Sequence, residues 1–165
     1  CSNDKGIKRV DAPAAKITAL TANSTVAEIE AAKAAYDALA LKSKLNFNDE
    51  LYAKLVNAVN GVNKIKADAV KALKLTTKSS AKKGSITVKW TVKGDASAAD
   101  GYQVWKSTKQ SKGYKKAITT TKKSYKNTKG LKKGTRYYYK VRAYKVVDGK
   151  NVYSDWSNKA YRVAK

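Results

Sequence analysis

Apolar residues change their spacing partway along the chain. Between residues 11 and 66 they recur every three or four positions, and from about residue 70 they alternate with polar ones. The first stretch predicts helices. Asp11 is placed to cap a short first helix running to about Leu20, with Ile17 and Leu20 on one face. Thr25-Val26-Ala27-Glu28 has the form of a capping box, in which Thr25 caps and Glu28 reaches back. Val26, Ile29, Tyr36 and Leu39 make one stripe of the helix beyond it. A third helix is expected from Asn48, with Asp49 and Glu50 at its positive end and Phe47 and Tyr52 as a hydrophobic staple. Leu51, Leu55, Ala58, Val59, Val62 and Ile65 would form its buried side, and Gly61 weakens it by ~1 kcal/mol relative to Ala. Three amphipathic helices with short connections predict a small three-helix bundle over residues 11–69.

The second stretch predicts short strands. Leu73 and Leu75 flank Lys74; Ile86, Val88 and Trp90 alternate with Thr87, Lys89 and Thr91. Tyr102 and Val104 alternate with Gln103 and Trp105, and Tyr137, Tyr139, Val141 and Ala143 with Tyr138, Lys140, Arg142 and Tyr144. Turn residues separate these runs at Lys82-Lys83-Gly84, Lys93-Gly94-Asp95, Asp100-Gly101, Lys112-Gly113 and Asp148-Gly149. Asp148-Gly149 suits a type I′ turn and should join the last two strands. The pattern predicts an antiparallel β-sandwich over residues 70–165. The junction near residues 66–70 has no Pro or Gly, so a stiff joint is expected there.

Charge reinforces this division. Residues 1–69 hold 10 Lys/Arg against 8 Asp/Glu, net +2; residues 70–165 hold 26 against 4, net +22. Such a field attracts polyanions. The alternative is that Lys merely solubilises the sheets and blunts their edges. In the basic half only Arg136, Arg142 and Arg162 are Arg. Lys acts as a point charge where base readout favours Arg forks, so if a polyanion is bound it is expected to be an anionic wall polymer or membrane rather than nucleic acid.

Composition removes most catalytic chemistry. The chain has no His and a single Cys at position 1. A Cys/His zinc site and Ser-His or Cys-His nucleophile pairs are excluded, as is a disulfide within the chain. No cofactor is implied. Met is also absent, so a processed product or fragment is expected. A chain beginning Cys-Ser-Asn-Asp-Lys-Gly resembles a mature bacterial lipoprotein, which would make Cys1 a lipid attachment point, the only expected membrane anchor, and residues 1–10 a tether; a fragment boundary is the other reading.

Two family resemblances follow from these residues. Ile29-Glu30-Ala31-Ala32-Lys33-Ala34-Ala35-Tyr36-Asp37-Ala38-Leu39, flanked by Ile17 to Leu20 and by Leu55 to Ile65, resembles the FIVAR repeat of Gram-positive surface proteins and wall-associated glycosidases. Lys42-Ser43-Lys44 departs from that pattern. Residues 70–165 resemble a Lys-rich fibronectin type III domain of the kind common in Firmicutes surface proteins. The shared features are Trp90, Gly101-Tyr102-Gln103-Val104-Trp105, Leu131-Lys132-Lys133-Gly134-Thr135-Arg136-Tyr137 and Ser154-Asp155-Trp156-Ser157-Asn158. This resemblance implies a seven-stranded immunoglobulin-like sandwich, a tyrosine corner at Tyr137, and Ser154 to Asn158 at the start of the last strand. Together the two imply an extracellular, cell-surface or cell-wall module, expected to be a monomer, that spaces other domains or adheres to wall polymer, glycan or protein. The alternative is an accessory carbohydrate- or wall-binding region of a larger glycosidase. If Tyr137, Tyr139 and Val141 face inward, then Trp105, Tyr138, Lys140, Arg142 and Tyr144 share an outer face that could stack on sugar rings or anchor a partner. The competing reading is that Lys and Arg stems cover those rings.

Overall fold

A computed structural model describes residues 4–165, with side chains from Val10 onward; the lipid-attachment reading of Cys1 lies outside the described residues. The chain forms two compact units, one ending at Ile65 and the other running from Lys66 to Lys165.

Among the described residues four α-helices occur where three are predicted: α1 (Asp4–Thr18), α2 (Val26–Asp37), α3 (Leu41–Leu45) and α4 (Asp49–Ala72). The first does not start at Asp11. It begins at Asp4 and carries Pro13, itself buried, in its interior. A proline at an interior position forgoes one helical hydrogen bond. The capping box forms as the spacing requires: Thr25 N–H donates to Glu28 Oε2 at 2.7 Å and Glu28 N–H to Thr25 Oγ1 at 3.3 Å. The backbone N–H of Thr25, and then its hydroxyl, hold the Glu28 carboxyl below its ordinary range. Asn48 Oδ1 accepts from Leu51 N–H at the start of α4. The staple closes through a third ring, with Tyr36 edge-on to Phe47 at 5.1 Å and tilted against Tyr52 at 5.2 Å. The helical core is Ile17, Leu20, Ile29, Ala32, Phe47, Leu55 and Val62. Val26 and Ile65, expected on buried stripes, are exposed. The stretch after α2 is helical too, and its Lys44 ammonium reaches the Asp37 carbonyl at 2.8 Å and the Tyr36 ring at 5.5 Å.

The second unit is a two-layer antiparallel sandwich. Its strands are β1 (Lys74–Lys82), β2 (Ser85–Lys93), β3 (Gly101–Ser107), β4 (Lys115–Thr120), β5 (Ser124–Asn127), β6 (Arg136–Val147), β7 (Lys150–Tyr153) and β8 (Ala160–Val163). One sheet runs β1-β2-β5; the other runs β4-β3-β6-β7, with β8 also on β6. The count is eight rather than seven because the last strand is broken: β7 pairs with residues 144–147 of β6, and β8 with residues 136–139. The expected placement of Ser154 to Asn158 at that strand's start is therefore corrected to its interruption. The core contains Leu75, Val88, Trp90, Tyr102, Val104, Tyr139 and Val141, and is closed at one end by Val70 and Leu73. Alternation sets this directly, since β1 and β6 bury every second residue. Asp148 (φ 49°) and Gly149 (φ 70°) both take the left-handed conformation of a type I′ turn between β6 and β7. Tyr137 makes the corner: its hydroxyl donates to Gly130 O at 3.1 Å and accepts from Lys132 N–H at 2.9 Å.

Candidate functional site

The outer face of the β4-β3-β6 sheet carries the predicted aromatic and cationic residues. Pairing puts Trp105 opposite Lys140, Gln103 opposite Arg142, Gly101 opposite Tyr144 and Ser107 opposite Tyr138. Their surroundings are decided by the broken strand beside them.

Between β7 and β8 the chain leaves strand geometry but keeps its contacts with β6 through side chains. Ser154 donates its N–H to Ala143 O, and its Oγ accepts from Ala143 N–H at 2.9 Å. Ser157 repeats this on Val141, with its N–H on the carbonyl and its Oγ 3.0 Å from the N–H. Each hydroxyl stands where a strand carbonyl would. Three residues of the segment thus span two residues of β6. Asn158 does the same for the other sheet: its Nδ2 donates to Thr77 O at 2.9 Å and its Oδ1 accepts from Thr77 N–H at 2.7 Å. Thr77 Oγ1 donates to Ser157 Oγ at 2.8 Å. The segment is a clasp that closes the outer edge of β1 and continues the pairing of β6.

The residue before each serine is aromatic, and both rings lie over the outer face. The Arg142 guanidinium sits 3.5 Å from the Tyr153 ring centre and 4.6 Å from that of Trp156, with Trp105 at 5.7 Å. Lys140 Nζ follows, 4.0 Å from Trp156 and 4.6 Å from Tyr114. The result is an alternating stack of Tyr153, Arg142, Trp156, Lys140 and Tyr114. Trp105 meets Trp156 edge-on at 5.7 Å. Arg142 also donates from Nε and Nη2 to Oε1 of buried Gln103, at 3.2 and 3.0 Å. Partial burial lowers the pKa of Arg142, and burial followed by repulsion from Lys159 and Arg142 lowers that of Lys140.

Of the five predicted face residues, Trp105, Lys140 and Arg142 join this stack. Tyr138 instead pairs with Tyr161 at 5.7 Å, where Arg136 lies 5.1 Å from the Tyr161 ring. Tyr144 covers Gly101, whose missing side chain leaves room for the ring. Arg142 and Lys140 lie over Trp105, Tyr153, Trp156 and Tyr114, while Trp156 remains 36% exposed. The sequence reading did not place Tyr114, Tyr153 or Trp156 on this face; for Tyr153 and Trp156 the signal was the repeat of an aromatic followed by serine, Tyr153-Ser154 and Trp156-Ser157, at a spacing of three. Among the described residues no group of three or more Cys, Asp or Glu is placed to hold a metal ion, and no helix is long and apolar enough to cross a membrane.

No family model matches the chain, and no curated protein matches it either. Solved structures do. A β-1,2-glucanase from Parabacteroides distasonis is 22% identical with a TM-score of 0.46, over 58% of this chain and 13% of the glucanase. An Fn3-like protein from Clostridium thermocellum is 26% identical with a TM-score of 0.44, over 58% of this chain and 95% of that one. The fibronectin type-III domain of a human fibronectin type III domain containing protein is 18% identical with a TM-score of 0.43, over 54% and 84%. The three- and five-stranded antiparallel sheets and the tyrosine corner give residues 74–165 the form of a fibronectin type III-like β-sandwich.

Proposed function

We propose that this chain is a non-catalytic module of an extracellular or cell-wall protein, acting as a spacer that also adheres to anionic wall polymer. The observation that carries this reading is the net +22 of residues 70–165, set on a sandwich whose aromatic face is already occupied by its own cations. Arg142 and Lys140 already engage Tyr153, Trp156 and Tyr114, which leaves less of those rings to a sugar. The exposed lysines are what a partner meets first. The resemblance of the helical unit to FIVAR repeats, and a lipid on Cys1, would both fit a wall-proximal position.

The test is co-sedimentation of the full chain with Gram-positive cell walls, with and without their teichoic acid, across a salt series. Pelleting that requires the teichoic acid and disappears as salt rises is the expected result. Pelleting that survives both stripping and salt would move recognition to the aromatic face. No pelleting at low salt would refute the adhesive role.

A further inference from the structure

The two faces of the sandwich differ chemically, and the smaller sheet carries a feature that the stack on the larger one does not. Outward positions of β1, β2 and β5 are lysines and hydroxyl residues throughout. Exposed Lys74, Thr76, Lys78, Ser80 and Lys82 alternate with inward residues on β1, and Lys89, Thr91 and Lys93 do so on β2. The register pairs four of them like with like, Lys74 with Lys93, Thr76 with Thr91, Lys78 with Lys89 and Ser80 with Thr87, while Lys82 faces Ser85. Ammonium rungs therefore alternate with hydroxyl rungs, about 7 Å apart along the strands. On β5, Ser124 stands beside Lys89 and Lys126 beside Thr87. A shallow groove lies where the Thr76–Thr91 and Lys78–Lys89 rungs meet, lined also by Lys123 and by Trp90, whose side chain is buried in the core at 3% exposure. Of these lysines, Lys74 has an acidic partner, Asp155 at 2.7 Å.

Like charges directly opposite one another on neighbouring strands destabilise a sheet. The Lys78–Lys89 rung thus carries a cost that a bound anion would relieve. We infer that this face, centred on Thr76, Lys78, Lys89 and Thr91, binds a linear phosphodiester polymer of polyols or sugars. This rests on the adhesive reading above and assigns it to one sheet. The ammonium groups meet the charge, and the threonine hydroxyls donate to phosphate oxygens between them. A polymer without bases is favoured because the outward side chains of β1 and β2 include no aromatic ring, so nothing there stacks a base. Lysine also meets phosphate as a point charge, without the bidentate fork that base readout uses.

The experiment titrates the full chain with poly(glycerol phosphate), using a single-stranded oligonucleotide of matched charge and neutral dextran as comparisons. The variant is Lys78→Thr with Lys89→Thr. Its charge-matched control is Lys115→Thr with Lys150→Thr, two exposed lysines on the other sheet. Wild type and the control should bind poly(glycerol phosphate) more tightly than the oligonucleotide, and dextran not at all. The Lys78/Lys89 variant should bind at least about tenfold more weakly, with a salt slope shallower by about 1.5. Its melting temperature should equal or exceed that of wild type, which separates lost binding from lost folding. Equal weakening in the two variants would reduce the effect to net charge and overturn the assignment. Tighter binding of the oligonucleotide would overturn the choice of polymer. If walls still capture the chain but poly(glycerol phosphate) does not, this inference fails while the adhesive role survives; if neither captures it, both fail.

Discussion

Replacing Ser154 and Ser157 together with alanine tests the clasp most directly. Alanine keeps the backbone N–H bonds to Ala143 O and Val141 O but removes the two hydroxyls that accept from Ala143 N–H and Val141 N–H. Val141 and Ala143 are both 0% exposed, so water has no easy route to either group. A buried donor left without an acceptor costs about 1–3 kcal/mol, giving about 2–6 kcal/mol for the pair if the sites add. Against a domain stability of about 5–15 kcal/mol, that is a large fraction. Urea unfolding followed by tryptophan fluorescence measures it cleanly, because all three tryptophans, Trp90, Trp105 and Trp156, lie in the sandwich and none in the helical unit. A loss of 2 kcal/mol moves the midpoint by between about 0.7 and 2 M. Asp155→Ala, in the same segment, removes only a solvent-exposed ion pair and should shift the midpoint far less than the serine pair does. A double variant within about 0.5 kcal/mol of wild type would refute the reasoning, since it would mean that the strand N–H groups do not depend on the serines.

Three further outcomes are expected. Arg142→Ala removes a cation from between Tyr153 and Trp156 together with two bonds to Gln103, and should cost about 2–4 kcal/mol, with Arg142→Lys intermediate; near-ultraviolet circular dichroism should register the change at Trp105 and Trp156. Tyr139, whose hydroxyl accepts from Asn127 Nδ2 at 2.8 Å, has its pKa pushed up to about 12 by burial. Its ordinary value is about 10, so its contribution is complete below pH 10 and is lost as pH rises from there through 12; Tyr139→Phe should be less stable at pH 7 yet fall less steeply over that window in alkaline melts. Gly101→Ala would place a Cβ 3.0 Å from both Thr120 O and Tyr144 Cε1, and should lower the melting temperature; adding Tyr144→Ala should restore only part, because the Thr120 carbonyl is fixed in the sheet.

Much of this molecule was legible in its residues. Short-range rules placed the Thr25–Glu28 box, the Asp148-Gly149 turn and the inward set of β6, because each depends on contacts within a few positions or on strict alternation. The Tyr137 corner was expected from a motif resemblance and is completed over seven residues. The N-terminal start of α1 was missed because Asp11 before an Ala-rich run looks like a cap, and only packing shows that Pro13 is held inside a longer helix. Ile65 was placed on a buried stripe by periodicity, yet it is 60% exposed, since a period identifies a face but not whether anything covers it.

The outer face shows the same boundary. Sequence alone put Trp105, Lys140 and Arg142 on one side of a sheet, because a strand's side chains alternate whatever surrounds them. It could not say that Tyr153 and Trp156 would return over them, since that depends on serine hydroxyls substituting for strand carbonyls 11 and 16 residues away. Nor could it pair Lys78 with Lys89, or join Asn158 to Thr77 across 81 residues. Sequence determined the elements, the charge of each half and the chemistry that is absent. Tertiary structure decided which cations are used up on rings and which remain exposed, because that depends on which distant segments meet.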